Sequence, residues 1–185
     1  ELQDAAFDTE YGVPRCTAPG SACDSKGLLN GRGTIANGVE ANRSNTNFKG
    51  NECIDGNTGS YHADESIDQI IVTAGDIDKA TGTPIPSNDF IVEGGRAYVS
   101  VKVWCWSTGL SDIADIYLTD DADTPDWKHL VSITCPGGGE KWLRHAFDVP
   151  QGILNQMIRV NFRQLGSQTS CSNGGYDDHD DLGFT

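Results

Sequence analysis

The ten residues from Ala97 to Trp106, AYVSVKVWCW, decide the fold. Successive side chains of an extended chain point to opposite faces, so Ala97, Val99, Val101, Val103 and Cys105 fall on one side. Tyr98, Ser100, Lys102, Trp104 and Trp106 fall on the other. An apolar face backed by a polar and aromatic one is the pattern of a half-buried antiparallel strand. Shorter runs of the same kind follow. Ile67 with Ile70-Ile71-Val72 precedes it, and Ala114–Thr119, His129–Thr134, Leu143–Val149, Met157–Arg163 and Leu182–Phe184 come after. Ile116, Leu118, Leu143, Phe147, Val149, Ile158, Val160 and Phe162 are the expected inward residues. Gly-, Pro- and Asp-rich turns separate these runs, as at Asp120–Asp126 and Pro136–Gly139. Short, closely spaced strands of this texture predict an all-β fold, an antiparallel β-sandwich of jelly-roll type.

Residues 1–65 have a different texture. Gly, Pro, Asn and Asp punctuate them throughout, which reads as turns and loops that need to be fixed by covalent or ionic links. No linker or internal repeat divides the chain, and 185 residues are enough to bury about 70% of the unfolded surface. One β-sandwich domain over 1–185, with a long loop-rich N-terminal region over 1–65, is therefore expected.

The charge is lopsided: 27 acidic against 13 basic residues give a formal net charge of −14. Such a field repels nucleic acid and anionic lipid, so neither is an expected partner. No apolar stretch approaches a membrane span of about 20 residues. Six cysteines without a Cys-x-x-Cys pair fit three disulfides better than a zinc site, and point to a secreted, extracellular setting. Six allow 15 connectivities. Local structure favours Cys16 with Cys23 across a tight turn and Cys105 with Cys135 between strands, which leaves Cys53 with Cys171.

Two acidic segments are candidates for a cation. In Cys53–His62, CIDGNTGSYH, Asp55 and Ser60 offer side-chain oxygens, and the turn at Gly56 and Asn57 frees carbonyls. In Tyr176–Phe184, YDDHDDLGF, five consecutive ionisable groups either splay into water or share a cation. The Cys53–Cys171 bridge would bring the second segment beside the first. Asp64 and Glu65, just after the first loop, are candidates for a second or extended site. Asp68 and Asp112 read as exposed strand-end carboxylates.

The Asp55-Gly-Asn-x-x-Ser60-x-His62 loop resembles the calcium loop of the galactose-binding-like sandwiches, which include discoidin domains and many carbohydrate-binding modules. The resemblance implies a structural calcium held by Asp55, the Asn57 carbonyl, Ser60 and an acid of the last strand, Asp180 or Asp181. His62 stands where the family has Trp. Over nearly the whole chain, segments such as Phe7–Cys16, His62–Ser66, Trp104–Gly109, Val160–Arg163 and Asp178–Leu182 are similar to accessory β-sandwich domains of secreted bacterial peptidases. That likeness implies an appendage of a larger secreted polypeptide with a binding or stabilising role. Cysteines matching Cys105 and Cys135 are often both missing from those domains, which supports pairing these two.

Four Trp are many for this length. Trp104 and Trp106 read as core packed under the N-terminal region in preference to a sugar-stacking platform. Trp127 and Trp142, with Tyr61 and His62 of the acidic loop, are the candidate ligand contacts. The sequence has no Gly-x-Ser-x-Gly, His-Glu-x-x-His or phosphate-binding loop motif. The expected function is a calcium-binding adhesion or binding module without catalysis, with a glycan or extracellular-matrix ligand. A purely structural appendage and a carboxylate-dependent glycan-active enzyme are the alternatives.

Overall fold

A computed structural model describes residues 1–35, 37–152 and 155–185. In chain order the strands are β1 (Leu2–Asp4), β2 (Ala6–Asp8), β3 (Val13–Arg15), β4 (Ala22–Asp24), β5 (Ser66–Ile77) and β6 (Pro84–Pro86). The remainder are β7 (Arg96–Cys105), β8 (Asp112–Thr119), β9 (Lys128–Thr134), β10 (Gly139–Asp148), β11 (Gln156–Gln164) and β12 (Asp178–Phe184). One six-stranded sheet runs β1-β4-β5-β7-β10, with β6 paired to β5. The other runs β2-β3-β12-β11-β8-β9. The fold is an all-β sandwich.

Each of the later strand expectations falls on an observed strand, and the inward residues pack in one core. Val99, Val101 and Val103 from β7 join Ile116 and Leu118 from β8, Ile158, Val160 and Phe162 from β11, and Leu182 and Phe184 from β12. The N-terminal region departs from expectation, because β1–β4 lie within 1–65. A three-residue strand is too short to display an alternation. Long neighbours supply its pairing, and two of these pairs, β1 with β4 and β3 with β12, are parallel. Both sheets are therefore mixed.

A bulge explains the odd spacing of Ile67 and Ile70. Ile67 pairs with Val103 and Gln69 with Lys102, so Asp68 is the extra residue. Both isoleucines thereby reach the core. Asp68 is buried rather than exposed, accepting hydrogen bonds from Tyr61 Oη at 2.9 Å and Ser66 Oγ at 3.4 Å, with His62 Nε2 at 3.0 Å. Asp112 is also buried, and accepts from Trp106 N at 2.6 Å and Ser111 Oγ at 2.9 Å.

The three disulfides are Cys16–Cys23, Cys53–Cys171 and Cys105–Cys135, with Cα–Cα distances of 5.8, 5.4 and 6.3 Å. Cys105 ends β7 in one sheet and Cys135 follows β9 in the other, so this bridge ties the two layers. The Gly137–Gly139 turn likewise carries the chain from one sheet to the other. Three disulfides fit an oxidising, extracellular environment. No helix among the described residues is long and apolar enough to cross a membrane.

Candidate metal centre

The parity of β12 builds the site. Asp178 lies opposite Phe162, Asp180 opposite Val160 and Leu182 opposite Ile158, all on the inner face. Two carboxylates thus continue the row occupied further on by Leu182 and Phe184, at one end of the core. Asp178 Oδ2 reaches the facing sheet and accepts from Ile67 N at 2.6 Å. Asp55 enters from the N-terminal loop: His179 N donates to its Oδ1 at 2.9 Å. Glu40 completes the group, accepting from Gly33 N at 2.9 Å and from Thr46 Oγ1.

Carboxylate oxygens of Glu40, Asp55 and Asp178 lie within 4.8 Å of one another. Asp180 has no exposed surface. Among the described residues, four oxygens here, Asp55 Oδ2, Asp178 Oδ1 and both of Asp180, have no hydrogen-bond partner. An unpaired buried charge is costly, so such oxygens call for a proton or a cation. Burial, then the neighbouring charges, pushes Glu40 up to about 10, and burial pushes Asp55 up to about 7. Asp178 and Asp180 are raised well above the carboxylate range by the same causes.

Arg32 is the nearby cation, wholly buried. Its Nη1 donates to the carbonyls of Glu65 at 3.0 Å and Tyr176 at 3.2 Å, and its Nη2 to that of Thr58. Both Nη atoms thus donate to backbone while Nε has no hydrogen-bond partner, and among the described residues no Lys or Arg pairs with Glu40, Asp55, Asp178 or Asp180, although His179 Nδ1 lies 3.3 Å from Asp55 Oδ1. An all-oxygen donor set with four free carboxylate oxygens suits a hard cation. Among hard cations, calcium takes six to eight oxygens at about 2.3–2.6 Å, whereas magnesium retains water.

Local backbone holds Asp55 in place. Gly56 N donates to Asp177 O and Thr58 N to Gly175 O, both at 2.8 Å. A Cβ on Gly56 would sit 2.2 Å from the Gly175 carbonyl oxygen, so only glycine permits this approach. Cys53–Cys171 clamps the same two segments.

Of the residues singled out by sequence, Asp55 and Asp180 converge. Asp181, one residue on, faces outward: Arg159 binds it through Nε–Oδ1 and Nη2–Oδ2, both 2.9 Å. The side chains of Asn57 and Ser60 are exposed, and Ser60 N donates to Asp64 Oδ2 at 2.8 Å, closing a small turn. Glu65 is buried against Asp112, whose proximity adds to burial in pushing it up to about 8. Sequence reasoning missed Glu40 and Asp178. Parity with Leu182 and Phe184 could have found Asp178; Glu40 sits in an irregular loop that gives no such signal.

The aromatic candidates separate. Tyr61 stacks on His62 at 3.9 Å and His62 on Trp104 at 4.8 Å. Trp127 is half-buried against Val13, Ala122 and Met157, with the Arg159 guanidinium 4.2 Å from its ring centre. Trp142 is half-exposed on the outer face of β10, and Trp106 is exposed.

The chain matches no family model, no curated protein and no solved structure.

Proposed function

We propose that this chain is a secreted, calcium-locked β-sandwich that serves as a binding module for a glycan or another extracellular surface ligand, within a larger secreted protein and without catalysis of its own. The observation that carries the reading is Asp180: a fully enclosed carboxylate with both oxygens unpartnered, among Glu40, Asp55 and Asp178. Membership of the galactose-binding-like sandwiches belongs to the same proposal. Two packed sheets and a last-strand acid beside Asp55 support it. The partly exposed Tyr61–His62–Trp104 stack and Trp106 support a surface-binding role. Calorimetric titration of the metal-free chain with calcium is expected to give uptake of an ion that Asp180→Asn abolishes. Absence of calcium uptake by the folded chain would overturn the reading.

One observation favours a hydrolase instead. Ser172 Oγ lies 3.3 Å from His179 Nε2, and His179 Nδ1 lies 3.3 Å from Asp55 Oδ1, the order of groups in a serine nucleophile relay. Two features oppose it. Ser172 Oγ donates to Asn161 Oδ1 at 2.8 Å, and His179 Nε2 accepts the Ser172 backbone N–H at 3.2 Å, so both are already engaged. Burial also lowers His179 to about 4, which weakens it as a base. Against ester and peptide substrates the chain is expected to show no turnover that Ser172→Ala removes; a turnover lost in that variant alone would restore the enzyme reading.

A further inference from the structure

The outer face of the β5-β7-β10 sheet carries a shallow groove remote from the acid cluster in chemistry. Cross-strand register sets Thr73, Tyr98 and Ala146 in one row, Ile71, Ser100 and Arg144 in the next, and Lys102 beside Trp142 in a third. The groove encloses about 200 Å³ over this floor, bordered by Pro84 and by Trp142 with Arg144. A second recess of about 180 Å³ shares Arg144 and extends towards Lys79 and Arg96.

Three features combine here. The hydroxyls of Thr73, Tyr98 and Ser100 make no hydrogen bond within the described residues and line the groove beside Ile71 and Pro84, with Tyr98 and Ser100 7% and 6% exposed. Trp142 offers an indole at the groove wall, with the Arg144 guanidinium 5.7 Å from its ring centre. The cations of this face are unequal. Lys102 pairs with Glu140, and Arg96 with Asp76 and Asp148, whereas Arg144 has no carboxylate partner among the described residues. In a chain of net charge −14, an unpaired exposed arginine beside an indole and free hydroxyls is a local exception.

We infer that this groove binds an acidic saccharide: Trp142 packs against the C–H face of a sugar ring, the three hydroxyls meet ring hydroxyls, and Arg144 holds a carboxylate or sulfate. The chemistry matches each part. A sugar ring has an apolar face and a polar rim, and a guanidinium binds planar oxyanions through paired N–H donors. The inference rests on the binding-module reading and specifies its ligand class.

The test is affinity electrophoresis and calorimetry of the calcium-loaded chain with polygalacturonate and heparin, using dextran and poly-glutamate as neutral and peptide controls. The acidic polysaccharides are expected to retain the chain and the controls to leave it free. Trp142→Ala is expected to weaken retention at least tenfold, and Arg144→Gln by roughly tenfold, the value of one charge-assisted contact. Both side chains lie outside the core, so each variant should keep the parent melting temperature and calcium uptake. No retention by either acidic polymer, equal retention by dextran, equal retention by poly-glutamate, or unaltered binding in both variants would each overturn the inference. Calcium uptake measured on the same preparation separates these outcomes from failure of the cation site.

Discussion

Chelating calcium is expected to lower the melting temperature by about 8–16 °C, given a dissociation constant about a thousandfold below the calcium concentration. An ion that binds only the folded chain adds its binding free energy to stability, about 4 kcal/mol at that ratio. For a domain of this size each kcal/mol moves the midpoint by about 2–4 °C. The pH dependence gives a sharper signature. The acids of the cluster have folded-state values raised above their unfolded ones, so without metal the folded chain binds protons more tightly than the unfolded chain. The stability this contributes is fully present below the ordinary carboxylate value near 4. It is lost as pH rises through about 7 at Asp55 and about 10 at Glu40. Bound calcium would compete for the same oxygens in their ionised form, so the gap between loaded and chelated melting curves should widen from pH 5 to pH 9. Asp180→Asn should remove most of that gap, while the metal-free variant becomes more stable than metal-free parent at alkaline pH. Superimposable curves with calcium and with chelator across this range would sink the cation site.

Replacing Cys53 and Cys171 together by serine is expected to cost about 5 kcal/mol. The bridge closes a loop of 118 residues, and the entropy removed from the unfolded chain grows with the logarithm of loop length. The same substitution at Cys16 and Cys23, only 7 residues apart, should cost about 2 kcal/mol. Urea denaturation of the two variants separates them. The long bridge also joins the strands of chain that deliver Asp55 and the turn before Asp178, so its loss should weaken calcium uptake, whereas loss of the short bridge should not. Equal destabilisation by both pairs, with calcium uptake intact in each, would show that the long bridge neither restrains the unfolded chain nor positions the site.

Much of this architecture was legible because strands announce themselves through alternation. The five inward residues from Ala97 to Cys105 needed no tertiary knowledge. Nor did the pairing of Cys16 with Cys23, where proximity in sequence dominates. The site was legible in part. Asp55 stood out because Asp-Gly-Asn demands a tight turn, and the final acidic run because five adjacent ionisable groups cannot all be solvated alike. Which of those acids faces inward depends on parity with Leu182 and Phe184, and here reading Asp180 and Asp181 as interchangeable lost information. Their environments are opposite: Asp180 meets acids, Asp181 meets Arg159. Asp68 was misjudged as exposed because the Tyr61–His62 segment, which stacks on Trp104, covers it, a contact invisible without the folded loop. Glu40 was out of reach, since an irregular loop is positioned by contacts such as Gly33 N and Thr46 rather than by any periodicity.

The two-sidedness of β12 constrains how descendants of this gene can change length. Within β12, dropping one codon between Asp180 and the anchored phenylalanine at 184 would shift the preceding residues onto the other surface, putting His179 among the acids and stranding Asp180 opposite Arg159. The exposed turn at 80–82, where Gly82 borders open space, imposes no such bookkeeping and can absorb insertions freely.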